Sequence, residues 1–516
     1  MTARRRGLAR LGQSEPLLVA ALLVLAGCGG RSSRPGGRGE ASGSEAGSDG
    51  ASMTPVASGG TAGADAASPA GGGGGTGPRR PTFAPGAPSE VLALIPTQYA
   101  NLGTTVALSY DTLAVGAPGP AGENSGDQPP GTPVPTPAVL VFRRDDANGE
   151  WVEEALLTIP DLPEPDPGSR FGVALALEGD LLVVGAPSQR PRGASDCLEG
   201  CGSVHVFERL GPEWEHVVEL PPPSHYAGLQ YGSALAVSDG TVAIGEPSAD
   251  SNRGAVDLFE NRNGHWQQVR TVQPDQPVQN SGFGSAVALD HETLAVAESE
   301  RVHVFESDPS SEWILTSDSR TTAGFFGNRI ALRGDTLVVA EYAESSNAVG
   351  VNGTPGAPYP ADGYFSVHSG AAHVFRRDEL FGWQKEAFLK SAQPVWEGLF
   401  GWDLALDGDT LLVAERQSEG HGAGFVEQEN PDDPTSRGAV WVFQREDTTW
   451  LLRGALKSPK GETAFASSVG ALALTDRFVA VGAFADGPAP ADPTVLGIPY
   501  AGGVFVWPWS HTTAEP

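Results

Sequence analysis

This chain of 516 residues is short of several things, and each shortage excludes something. It has three Cys, too few for a disulfide-built scaffold and too few in any one stretch for a Cys-rich zinc site. It has four Lys, and its 33 basic residues face 63 acidic ones, for a net charge of −30. A surface of that sign does not neutralise a phosphate backbone, so nucleic acid is excluded as a partner. The apolar run from Leu17 to Ala26 is too short to cross a bilayer as a mature helix. Apolar residues nowhere recur at helical spacing over a useful length, which excludes a helical array. Also missing are the GxSxG, HExxH, P-loop and SxDxGxTW patterns. No catalytic group is nameable from the sequence, and the chain reads as a non-enzyme.

What the chain has in plenty is one unit, repeated seven times. Phe171 to Pro187 reads FGVALALEGDLLVVGAP, Tyr231 to Pro247 reads YGSALAVSDGTVAIGEP, and Phe283 to Ser299 reads FGSAVALDHETLAVAES. Further copies run over 102–118, 326–342, 400–416 and 468–484. Each is followed by a second apolar run ending in an aromatic (VLVF, VHVF, VDLF, VHVF, AHVF, VWVF, VFVW). In the first six copies a Trp follows: Trp151, Trp214, Trp266, Trp313, Trp383 and Trp450.

Within a copy, apolar and small residues alternate, meet a polar turn such as Glu178-Gly179-Asp180, and alternate again. That is a hairpin pattern. Val204 to Phe207 makes a third strand and Trp214 to Leu220 a fourth. Seven four-stranded antiparallel units predict an all-β, seven-bladed β-propeller over residues 87–510, with a tail at 511–516. The last copy stops at its third strand, and 90–96 resembles a fourth-strand segment. The N-terminal strand is therefore expected to close the last blade, which removes two open edges.

The FG start, the VGAP end of strand two and the GAVxVF third strand resemble FG-GAP repeats, the blade units of integrin α-chain propellers. The bacterial variant with GVNG, here Gly350 to Gly353, is the nearer match. The resemblance implies the fold and is weak on function, because propellers host unrelated activities. It does not carry over the DxDxDG calcium loop of integrin-type blades. Here strands one and two are joined by turns as short as Asp407-Gly408-Asp409-Thr410, which cannot wrap an ion needing six to eight oxygens. No resident cofactor is expected, with calcium left open at the glutamates described below.

Arg4, Arg5, Arg6 and Arg10 precede the apolar run, which ends in Leu25-Ala26-Gly27-Cys28. This resembles the signal peptide and lipobox of bacterial lipoproteins, in which the chain is cut before the Cys and the Cys is acylated. Residues 1–27 are then a signal peptide and Cys28 a lipid anchor in the membrane. No Asp follows Cys28, which points to the outer membrane or cell surface. Residues 28–86, rich in Gly, Ser, Ala and Pro, read as a disordered tether. In an exported protein Cys197 and Cys201 are expected to close a small loop as a disulfide.

The connections between strands two and three are long and variable, and they share a face with the four-to-one connections. Binding of a protein or a glycan by a monomeric propeller is expected there. At the ends of strand two, blades three to six carry Glu246, Glu298, Glu341 and Glu415, an arc of carboxylates. One reading is a cation or basic-ligand site; another is local pairing with Arg253, Arg301, Arg416 and Arg437, or exposure to water. His205, His303 and His373 share a strand-three column and are expected to pack on sheet faces. The regular Trp column is expected to pack as well, while Trp396, Trp402 and Trp441 lie outside it and are candidate aromatic contacts for a ligand. A docking hub of an envelope assembly is the competing role, and a propeller hydrolase or lyase built from scattered loop residues is the third.

Overall fold

The computed structural model describes residues 89–91, 101–119, 136–160, 166, 168–191, 200–223, 230–306, 312–316, 325–354, 368–395, 397–418, 424–426, 438–457, 469–483 and 503–509. Cys28, Cys197, Trp396, Arg437 and the expected signal peptide, tether and tail lie outside these residues.

Each repeat forms one antiparallel sheet. In blade two, Ala174–Glu178 pairs with Leu181–Ala186, which pairs with Ser203–Leu210, which pairs with Glu213–Leu220. The first strands of the seven blades are Thr105–Ser109, Ala174–Glu178, Leu235–Ser238, Val287–Asp290, Ile330–Arg333, Leu404–Asp407 and Val469–Leu474. Each touches the next, and the seventh touches the first. The result is a closed seven-bladed β-propeller. Ser89–Val91 pairs with Gly503–Pro508, with Ser89 opposite Val506, so an N-terminal strand completes the seventh blade as expected.

Strand two is covered on both faces by neighbouring blades. Leu182, Val183 and Val184 are all fully buried, which is why this strand reads as a continuous apolar run rather than an alternating one. The Phe of each FG start fills the seam with the preceding blade. Phe171, Phe283 and Phe326 are buried and meet His205, His303 and His373 edge-on at 5.5, 5.4 and 5.3 Å. The Gly of VGAP marks the closest approach of two blades. A Cβ on Gly185 would lie 2.0 Å from the carbonyl oxygen of Gly232 in the next blade, so no larger residue fits.

The turn between strands one and two also holds the ring together. Ser109 Oγ accepts from Gly179 N at 2.9 Å, and Glu178 accepts from Asp239 N and Gly240 N, both at 2.9 Å. Ser238 Oγ accepts from His291 N at 2.9 Å, and Asp290 from Gly334 N at 2.7 Å. Polar residues of these turns thus clasp each of blades one to four to the turn of the next.

The described parts of two long loops cover edges. In blade five, Val351 bridges to Leu389, and Asn352 N donates to Phe388 O at 2.7 Å, so the GVNG segment lies along the outer strand Gly382–Leu389. In blade six, Gly424–Val426 adds a fifth strand to Thr449–Lys457. These segments occupy strand edges that would otherwise be open to pairing.

Candidate functional site

Strand-two residues with even partners at the seam decide where the glutamate arc points. Val242 and Ile244 face blade two, so Glu246 does too. By the same parity Glu298, Glu341 and Glu415 face blades three, four and five. Each carboxylate therefore enters a different seam, and all four are buried, at 4, 2, 1 and 0% exposure. The expectation of water-exposed side chains is corrected on that point.

Their partners come from the strand-three column diagonally across the ladder. Glu298 Oε2 lies 2.7 Å from His303 Nε2, and Glu341 Oε2 lies 2.8 Å from His373 Nε2. Trp441 donates its indole N–H to Glu415 Oε2 at 2.6 Å. In blade three that column holds Asp257. Burial pushes the Glu246 carboxyl up to about 8, with the Asp257 charge adding to it. Two of the arginines weighed from sequence are engaged elsewhere: Arg253 pairs with Asp250 at 2.9 Å, and Arg416 lies over the Trp402 ring at 4.4 Å. His205 sits in the same column in blade two, where Ala186 takes the glutamate's place, and meets Gln189 Oε1 at 2.6 Å and His216 at 3.1 Å. Among the described residues no group of three or more His, Cys, Asp or Glu is placed to hold a metal ion.

Two buried lysines escaped the sequence reading. Lys390 Nζ donates to Glu344 Oε2, to Ser369 Oγ at 2.7 Å and to Ser346 O at 2.9 Å. Burial lowers its pKa, opposed chiefly by Glu344 and also by Glu415 and Glu341. Lys457, at the equivalent place in blade six, donates to Ser418 Oγ at 3.1 Å. The available signal was the repeated Leu-Lys-Ser at 389–391 and 456–458, using two of only four lysines.

The Trp column is built into the seams except at Trp313, which is 37% exposed. Strand four carries a β-bulge whose extra residue faces the next blade: Glu154 in blade one and Glu386 in blade five. Trp214 donates its indole N–H to Glu154 at 3.0 Å, and Trp450 to Glu386 at 2.8 Å. Arg209 lies over Trp214 at 5.2 Å and Arg445 over Trp450 at 5.7 Å. Trp441, a candidate ligand contact, is 2% exposed with its N–H bonded to Glu415, so it is a core residue.

Trp402 stands differently. It is half-buried at the start of strand one of blade six, beside Tyr342 at 5.8 Å, and Tyr342 stacks on Phe325 at 5.1 Å with 14° between the rings. Phe325 is 51% exposed and has a left-handed backbone, φ 50°. The same position is left-handed in blades one, two, three, four and six as well, at Asn101, Arg170, Gln230, Gly282 and Leu399, so the conformation belongs to the repeat. Beside the rings, Asn328 accepts from Tyr342 N at 3.3 Å and donates to Gly401 O at 3.2 Å. Arg329 pairs with Asp403 at 3.3 Å. These residues sit at strand-one starts and strand-two ends, so the ledge lies on the long-loop face at its inner rim. Cys201, in the two-to-three connection of blade two, is fully buried and disulfide-bonded.

No protein family matches the chain, and no curated protein does. Solved structures do resemble it. One from Bacteroides uniformis, provisionally assigned as a 6-phosphogluconolactonase, matches at 14% identity and TM-score 0.41, over 69% of this chain and 85% of its own. A similarly assigned Bacteroides fragilis structure matches at 13% and 0.40, over 69% and 85%. The Saccharomyces cerevisiae protein Sqt1 matches at 9% and 0.40, over 75% and 82%. A likeness of this size carries no information about activity.

Proposed function

We propose that this chain is a lipid-anchored cell-envelope protein whose propeller is a non-catalytic recognition module for a protein or a glycan. In this reading Cys28 is the anchor, 29–86 the tether and the FG-GAP-like repeats the head. The observation that carries the binding reading is Phe325, a bulky aromatic side chain left half-exposed and stacked on Tyr342. The left-handed backbone is shared by the repeat, and what sets Phe325 apart is the aromatic ring left 51% exposed on it. An aromatic surface beside the Arg329–Asp403 pair suits a group with one apolar face and polar edges, such as a sugar ring or an aromatic side chain.

The test is binding of the full-length protein to glycan and envelope-protein arrays, with a Phe325→Ala/Trp402→Ala variant beside it. Binding lost in a variant of unchanged melting temperature supports the ledge, and equal binding rejects it. For the anchor, Cys28→Ala is expected to abolish incorporation of labelled fatty acid and to release the protein from membranes.

A further inference from the structure

The Trp–Glu–Arg contacts repeat in two seams and fail in a third, between blades two and three. In the seams one/two and five/six, the strand-three arginine (Arg209 or Arg445) lies over the Trp and faces the bulge glutamate, at 3.7 Å in both. It also meets the aspartate of its own blade's first turn, Asp180 at 3.4 Å or Asp409 at 2.8 Å. Its other end reaches a threonine at the start of the preceding blade's strand two, Thr112 or Thr336.

In the seam two/three the five matching positions read Asn261, Trp266, Val217, Gly240 and Leu181. Only the Trp is kept. Arginine, both acids and the hydroxyl have been replaced together, and the buried Trp266 indole N–H has no acceptor, as is also true of Trp383 in the seam four/five. A cleft of about 300 Å³ occupies the place, on the short-turn face, and Leu181, Gly240, Asn261 and Trp266 line it. Glu178, Asp180 and Glu208 supply three carboxylates to its wall against the single guanidinium of Arg209. Glu178 is bonded to two turn N–H groups and Asp180 meets Arg209, whereas Glu208 has no ion-pair partner among the described residues.

We infer that this cleft receives an arginine side chain from a partner polypeptide. Its guanidinium would take the place that Arg209 and Arg445 take over Trp214 and Trp450, with Glu208 as counter-charge. A planar cation fits a Trp face and a carboxylate together, which a neutral isostere does not. This site is on the face opposite to the aromatic ledge, so the two readings stand or fall separately.

The test is calorimetric titration of the full-length protein with N-acetylarginine amide, against its neutral citrulline counterpart. One saturable site for the arginine compound is expected, about tenfold weaker for citrulline and weakened by salt. Asn261→Arg supplies the guanidinium from within and is expected to abolish the titration. Glu208→Gln, on a half-exposed side chain, leaves the seam packed and is expected to weaken binding about tenfold. No saturable site in the parent protein, equal binding of citrulline, or undiminished binding by both variants overturns the proposal. A pentapeptide with arginine among alanines is expected to bind at least as well as the amide. Free arginine binding more tightly than that peptide overturns the polypeptide source in favour of a small-molecule site.

Discussion

Glu386, at the bulge of one blade, accepts the indole N–H of Trp450 in the next at 2.8 Å, and Glu154 does the same for Trp214 at 3.0 Å. A strand irregularity in one repeat thus satisfies a buried donor in its neighbour. Glu386→Ala strands that donor in a Trp that is 1% exposed, and is expected to cost about 2–3 kcal/mol in urea denaturation. Removing Glu306, whose partner Arg377 is half-exposed, is expected to cost less than about 1 kcal/mol. Equal losses would mean that the seam bond contributes no more than a surface pair.

Glu246 makes stability depend on pH. Its folded-state pKa of about 8 lies above the ordinary 4.5, so folding favours the protonated form. That contribution is fully present below pH 4.5 and is lost as pH rises through 8, with a span of roughly 5 kcal/mol as an upper bound. Asp257 and Tyr231 face the same seam, and burial pushes both of them up as well. Glu246→Gln is expected to raise the melting temperature at pH 9 more than at pH 5. A difference of the opposite sign would reject the assignment.

The Lys390–Glu344 pair is fully desolvated, at 0 and 1% side-chain exposure. Glu344→Ala leaves a buried cation and is expected to cost about 3–5 kcal/mol. Lys390→Met combined with Glu344→Leu is expected to recover most of that loss. A double-mutant cycle by chemical denaturation measures both.

Gly185→Ala pushes a methyl group against the Gly232 carbonyl of the next blade, and an overpacking cost of about 1–3 kcal/mol is expected. Gly179→Ala, where a Cβ meets nothing, carries only the strain of its φ of 58°. Thermal denaturation of the two variants separates contact from backbone strain.

The repeat, the four strands per blade and the closing N-terminal strand were all legible in the sequence. Strand patterns are written in neighbours along the chain, and a copy such as Phe171 to Pro187 carries its own hairpin and its own turn. Even the column of Glu246, Glu298, Glu341 and Glu415 could be drawn from register alone.

What that column does was decided only by stacking. Periodicity gives the face on which a side chain lies and not what covers it. Glu298 and His303 are five residues apart, yet their contact depends on a ladder diagonal and on a buried seam. Glu154 and Trp214 are 60 residues apart, and Glu386 and Trp450 are 64 apart, so no local pattern joins them. Trp441 and Trp402 look alike in sequence; packing put one in the core and left the other at the rim. The sequence by itself determined that seven like sheets form and close. The tertiary structure decided which polar groups those sheets bury against each other, because burial and partner choice arise only when separate blades meet.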